Sequence, residues 1–220
     1  MALIELENVS KTISGKTLLN EVSFSVEKGT ITTLEGINGS GKTLILRAVL
    51  GLMKVSGKVV VAQTNVLVSG RYPVRAGVLI ESPSLLTEFS ALKNLQLIAD
   101  LLGDVDDETI KELLVQFDLP TDKKTKVKKF SLGMKQKLGI AQAMLGGCDL
   151  IVLDEPTNAL DEESIAKLIV TIERLRANGS TFLITSHDRD FIEAIATRRI
   201  GVRDLSLIHI SEPTRPEPIS

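Results

Sequence analysis

The chain is short of several things a sequence of 220 residues often has. It has one cysteine, Cys148, so no intrachain disulfide can form, and this fits a reducing compartment. It has no long apolar run. The best candidates, "LILRAVLGLM" and "DLIVLD", are short or carry a charge, whereas a spanning helix needs roughly 18 apolar residues. The start, "MALIELENVSK", lacks the shape of a signal peptide. If the chain acts at a membrane, another chain is therefore expected to supply the spanning part. It also lacks a strong charge imbalance: the formal net charge of −2 argues against a general binder of nucleic acid or other polyanions. Repeats and low-complexity tracts are absent through residue 204. What is present, 43% hydrophobic and 25% charged residues, is ordinary for one globular domain with a good core, or one domain with an insert.

Two periods alternate along the chain. "LIELENV" and "VSFSV" alternate like strands, "GTITTLEG" is a β-branched run ending in glycine, and "KTLILRAVLGLM" then reads as a helix. "GKVVVA" and "AGVLI" are further strands. From Phe89 the period becomes helical. Leu92, Leu95, Ile98, Leu101 and Leu102 are read as one face, and Ile110, Leu113, Leu114 and Phe117 as another. "DLIVLDE" is a buried strand. Ile165, Leu168, Ile169, Ile172 and Leu175 form a helical stripe closed by Asn178-Gly179, and "STFLITSHD" is a strand that ends polar. This predicts an α/β core interrupted by a helical insert at about 89–145. The basic run "KKTKVKK" just before residue 130 is read as a solvated face, with contact to anionic lipid headgroups as the alternative. Cys148 is expected to be a small buried residue at a strand entrance.

Chemistry enters with "GINGSGKT", residues 36–43, which fits G-x-x-x-x-G-K-[ST] between a strand and a helix. Gly36, Asn38, Gly39, Ser40 and Gly41 let backbone N–H groups converge on phosphate oxygens, and the helix N-terminus adds partial positive charge. Lys42 can reach β/γ phosphates and Thr43 can ligate Mg2+. A decoy, "SGKT" at 14–17, has Ser10 where the first glycine belongs and no buried strand before it; Lys16 is read as a turn lysine. In "LIVLDEPTNALD", Asp154 and Glu155 emerge at the carboxyl end of a buried strand, the edge where open α/β sheets bind ligands. Asp154 suits Mg2+ coordination, and Glu155 suits deprotonating an attacking water. Taken alone, two acids there would more often cap a helix.

One stretch has more at its front than capping requires: "FSLGMKQKLGIAQAML", residues 130–145, puts both serine and glycine at a helix start. The order GINGSGKT, SLGMKQ, LIVLDEPTNALD, TSHD resembles the nucleotide-binding subunit of ATP-binding cassette proteins over nearly all of residues 2–204. The resemblance implies an α/β fold with a phosphate-loop ATPase core, a mostly parallel sheet, N-terminal antiparallel strands and a helical insert subdomain. It implies ATP and Mg2+ as cofactors. It also implies a head-to-tail dimer in which Ser131 and the N–H of Gly133 contact the γ-phosphate held by the other subunit. His187 matches the switch histidine. Asp161 matches the acidic residue of the loop at the dimer interface, and is also read as a helix N-cap. The implied partners are a second nucleotide-binding subunit, in a homo- or heterodimer, and a separate transmembrane permease; no nucleic acid is expected. The implied place is the cytoplasmic face of the cell membrane.

Three motifs depart from the family pattern. The signature Leu-Ser-Gly-Gly-Gln is Phe-Ser-Leu-Gly-Met here, keeping Ser131 and Gly133 but placing Leu132 and Met134 in it. "LIESP" offers Glu81 where the family offers glutamine to the metal. Ile13 stands where an adenine-stacking aromatic is usual, leaving apolar contact to hold the base. "LIESP" and "SLGMKQKLGIA" resemble the exporter ATPases of bacitracin-like and lantibiotic self-protection systems. The leading reading is an ATP-hydrolysing subunit of a transporter exporting antimicrobial peptides or drugs. The rivals are a soluble cassette ATPase acting on ribosomes or DNA, and a non-hydrolysing ATP-gated binding module. The soluble ATPases usually join two cassettes or carry long coiled coils, and neither is seen in this sequence.

The end, "LSLIHISEPTRPEPIS", resembles the read-through translation of a transposase sequencing adapter. On that resemblance 205–220 is expected to be a non-native tail in which His209 has no role, and 1–204 a cassette domain cut short at its C-terminus.

Overall fold

The computed structural model describes residues 1–203 and the backbone of 206–208. Strands β1 (Ala2–Ile13) and β2 (Lys16–Glu27) form a hairpin in which Ile13 pairs with Lys16. The two turn residues have positive φ, Ser14 at 48° and Gly15 at 79°, which suits a tight hairpin between twisted strands. The decoy "SGKT" is thus a hairpin turn running into β2. Strands β4 (Ser56–Val61) and β5 (Thr64–Asn65) complete an antiparallel sheet of order β2-β1-β4-β5.

The second sheet carries the chemistry. Its order is β10-β9-β3-β8-β7-β6, from β3 (Ile31–Glu35), β6 (Ala76–Leu79), β7 (Leu150–Asp154), β8 (Thr181–Ser186), β9 (Arg198–Arg203) and β10 (Ser206–Ile208). All neighbours pair in parallel except β10 with β9. Every residue of β7 and β8 is buried, because the sheet is covered on both faces. Alternate residues of β7 supply two cores. Leu150 and Val152 pack with α1 (Lys42–Val49) and the antiparallel sheet; Ile151 and Leu153 pack with the helices opposite.

Those helices are α2 (Ala91–Leu102), α3 (Asp107–Gln116) and α4 (Leu132–Met144), all between β6 and β7, and α5 (Glu162–Ala177) after β7. A short α6 (Arg189–Ile195) links β8 to β9. Asn94 anchors the insert: buried in α2, it accepts from Leu86 N and donates to the carbonyls of Leu86 and Ser90. Among the described residues no helix is long and apolar enough to cross a membrane.

Two sequence expectations need correction. The helix read over "KTLILRAVLGLM" stops at Val49, because Gly51 turns left-handed (φ 68°) and releases Leu52 to solvent. Leu101 is 87% exposed and does not share the face of Leu92 and Leu95. Nine residues at about 100° each carry it to the far side from Leu92. The stripe Ile110, Leu113, Leu114 and Phe117 is buried as expected, and so is Cys148. In the basic run Val127 is buried while Lys128 is exposed and pairs with Glu88 at 2.8 Å. The expected tail lies outside the described residues apart from 206–208, which run as an edge strand beside β9 whatever their origin; His209 lies outside them.

Candidate functional site

Four neighbouring parallel strands, β3, β8, β7 and β6, end on one edge of the sheet. Their ends lead into residues 36–43, His187, Asp154–Glu155 and Glu81 respectively. In a parallel sheet that edge has only loops above it, so polar side chains can converge without unpairing strands.

The loop between β3 and α1 is shaped by its glycines. A Cβ on Gly36 would stand 2.3 Å from the carbonyl oxygen of Val202, so no side chain fits. Gly41 has φ 102° and starts α1 with no side chain capping it, which leaves the first N–H groups of the helix available. Lys42 is buried and turned back on the loop, donating to Gly36 O at 2.6 Å and approaching Glu155 Oε1 at 3.4 Å. A cavity of about 190 Å3 lies here, lined by Asn38, Gly39, Gly41, Lys42, Thr43, Leu44 and Glu155. Two buried oxygens, Ser40 Oγ and Glu155 Oε1, make no hydrogen bond. A buried polar atom left so is costly in a closed core and ordinary in a site made for a ligand.

Asp154 is buried and fixed from three sides. Its Oδ1 accepts from Thr185 Oγ1 at 2.5 Å; its Oδ2 accepts from Thr43 Oγ1 at 2.9 Å and from the N–H of Glu81 at 3.3 Å. Glu155 has φ 47°, a left-handed conformation unusual for glutamate, held by N–H bonds to both oxygens of Thr185. That turn brings its carboxylate to His187, with Nδ1 at 2.7 Å from Oε2 and the His187 N–H at 3.2 Å. The His187 side chain is 57% exposed, against 16% for Glu155.

The other expected residues lie elsewhere. Ser131 caps α4, its Oγ accepting from Met134 N at 3.2 Å. Gly133 abuts the loop that follows Glu155: a Cβ there would meet Ala159 O at 2.7 Å. Asp161 caps α5, accepting from the N–H and the hydroxyl of Ser164. Those bonds, the hydroxyl's first, hold its carboxyl below the ordinary aspartate value. Ile13 is half exposed at the tip of the β1–β2 hairpin. None of these four residues lines the Lys42 cavity.

Three contributors escaped the sequence reading. Thr185 holds both acids in place. Buried Gln136, on α4, donates to Pro156 O at 3.2 Å and ties the helix to the Glu155 turn. Arg47 meets Glu81 at 2.8 Å. Gln136 and Thr185 lie within "SLGMKQ" and "TSHD" but were not singled out there; for these two the available signal was a polar residue at an otherwise buried position of a helix or strand, and for Arg47 no local signal existed.

The family model for ABC transporters matches residues 19–158. The chain belongs to the ABC transporter family. It is an ATP-binding and ATP-hydrolysing subunit of that family. It is 38% identical over 191 residues to the uncharacterized ABC transporter ATP-binding protein YybJ of Bacillus subtilis, covering 86% of this chain and 88% of that one. It is 37% identical over 195 residues to the lantibiotic transport ATP-binding protein SrtF of Streptococcus pyogenes (88% and 84% covered). It is 35% identical over 198 residues to the bacitracin transport ATP-binding protein BcrA of Enterococcus faecalis (88% and 64% covered). Among solved structures, the ATP binding subunit of an ABC transporter superposes with a TM-score of 0.87 at 25% identity, covering 96% of this chain and 90% of that one. The ATP-binding cassette MJ0796, in a dimeric post-hydrolysis state bound to ADP and Pi, superposes at 0.85 with 21% identity, covering 95% and 98%; at that identity the likeness is one of fold.

Proposed function

We propose that this ABC subunit drives export of antimicrobial peptides, working as one of two cassettes beneath a separate membrane permease on the cytoplasmic face. The names borne by SrtF and BcrA and the departures at Glu81 and Leu132 support that class of cargo. The observation that carries the chemistry is the gathering of Lys42, Thr43, Asp154, Glu155 and His187 on one sheet edge, with Lys42 and His187 both on the Glu155 carboxylate and Thr43 on that of Asp154.

In this reading the triphosphate lies over the start of α1, taken by the N–H groups of residues 39–43. Lys42 exchanges Gly36 O and Glu155 for the β and γ phosphates. Mg2+ would be held by Thr43 and Asp154, with Glu81 beside them. The donor set fits that ion, which commonly takes one or two carboxylates and otherwise relies on phosphates and water. Among the described residues no cluster of three or more His, Cys, Asp or Glu is placed to hold a metal without such help. Bound there, Mg2+ supplies neutralisation of the phosphate charge. Glu155 takes a proton from water as the water oxygen bonds to the γ-phosphorus and the bond to the ADP oxygen breaks. His187, hydrogen-bonded to Glu155, holds that carboxylate in place and reaches the γ-phosphate. Ser131 and Gly133 serve the phosphates of a partner subunit, and Asp161 faces the same interface. Ile13 offers adenine an apolar edge.

Glu155→Gln tests the chemistry. ATP turnover should fall by about 10^2- to 10^4-fold while ATP binding persists; unchanged turnover would remove Glu155 from the role. For cargo, the chain co-expressed with a permease of the lantibiotic or bacitracin type should protect a sensitive host against a lantibiotic or bacitracin. Protection that survives Glu155→Gln, or never arises, would defeat the export reading.

A further inference from the structure

Arg47 lies on α1 four residues past Thr43, so the two stand on one helix face a turn apart. Its guanidinium meets the Glu81 carboxylate at 2.8 Å, between Nη2 and Oε1. Glu81 itself is anchored by its backbone at the other end. Its N–H donates to Asp154 Oδ2, the oxygen that also accepts the Thr43 hydroxyl. Its φ of 60° lies in the left-handed region, which costs a glutamate some strain and is kept only where neighbours over-determine it. The backbone of Glu81 is therefore at the Thr43–Asp154 pair, while its carboxylate is drawn a helical turn away.

We propose that Arg47 is the positioning residue for Glu81: it neutralises the carboxylate and holds it clear of the phosphates until Mg2+ arrives with the nucleotide. The inference rests on the reading that Glu81 belongs to the metal side of the site. A bare carboxylate beside Thr43 would repel a triphosphate by simple Coulomb interaction. Arginine answers this with a charge that titration does not remove. The pair is open to water, the side chains being 40% and 58% exposed, so the tether is weak and exchangeable. That weakness suits a carboxylate that must change partner in each cycle.

ATP binding measured calorimetrically with Mg2+ and with EDTA, on the wild type, Arg47→Met, Glu81→Gln and the double variant, tests this. Arg47→Met should weaken Mg-free ATP binding by about two- to fivefold, the size of one exposed charge contact, and Mg-ATP binding by less. In the Glu81→Gln background the same change should have no effect, and Arg47→Lys should restore most of the Mg-free loss. Equal losses in both backgrounds would make Arg47 a general attractor of phosphate and overturn the proposal. If Glu81→Gln alone leaves the Mg2+ dependence of the wild type intact, Glu81 is not on the metal side, and the parent reading falls together with the inference.

Discussion

Two helix starts in this molecule carry glycine and serine, and they are built in opposite ways. At α1 the capping position is a left-handed glycine with no side chain on the exposed N–H groups, and Ser40, Gly41 and Lys42 are buried. At α4 the cap is Ser131, whose hydroxyl already accepts from Met134 N, and the start is exposed, with Leu132 73% open. The first helix is set into a core, with Ile45 and Leu46 fully buried beneath it. In the function proposed above it is an anion site completed within one chain. The second offers its front to solvent and keeps its own hydroxyl occupied. As an anion site it needs something brought to it, and a second subunit would do that. The two predictions with the largest effects separate these starts.

Lys42→Ala strikes the buried start. Removing a charged donor from a phosphate site should lower ATP affinity by about 10- to 100-fold, read by calorimetry. Dimerisation with ATP should be lost with it, since the nucleotide is no longer there. Ser131→Arg strikes the exposed start. It should leave ATP affinity of the monomer within about threefold, because Ser131 does not line the Lys42 cavity. Yet light scattering on a hydrolysis-slowed background should show no ATP-dependent dimer. A Ser131→Arg protein that dimerises normally would sink the role assigned to α4 across the interface and leave the α1 half untouched.

A smaller effect comes from the framework between the two. Thr185 is fully buried; it donates to Asp154 and accepts from the N–H of Glu155. Thr185→Val keeps the shape but strips Asp154 Oδ1 of its donor and leaves the Glu155 N–H with the Thr185 backbone carbonyl alone, so it should cost about 1–3 kcal/mol of stability in urea denaturation. Turnover should fall further than ATP affinity, because Glu155 loses one of the two bonds that hold its strained turn. A variant of wild-type stability would mean that the acids are held without Thr185.

How much of this could be read from the chain depended on the range of each contact. Residues 36–43 were legible because the loop's chemistry is local: spacing, glycines and a flanking strand suffice. Asp154 and Glu155 were legible as the end of an unbroken apolar strand. Gly133 was visible as a motif letter, but its contact with Ala159 is between segments far apart in sequence, and no local pattern announces it. Thr185 looked like any strand threonine, and Arg47 like any helix arginine, until the fold set them against the acids. Leu101 was misread because leucines are dense in α2, and only the angle around the helix separates buried from exposed.

The smallest predicted effect asks whether the exposed half is organised within its own chain at all. Asp161 follows the loop that touches Gly133 and caps α5 through Ser164, whose hydroxyl and N–H both donate to it. These bonds favour the carboxylate, so the folded-state value lies below the 3.8 of an ordinary aspartate. For a lowered acid, the stabilisation is present above the unfolded value and is lost as pH falls through the folded one. Wild type should therefore melt above Asp161→Ala at about pH 7, and the gap should narrow through the acid range below the ordinary aspartate value. Asp161→Asn, which keeps an acceptor and cannot lose a charge, should hold its advantage over alanine through that range. Thermal melts of the three proteins at stepped pH decide this. A gap between wild type and alanine that stays constant into acid would show that the carboxylate's charge does nothing for the folded monomer. Asp161 would then be conspicuous only at the interface, and the exposed half would have less internal order than its hydrogen bonds imply.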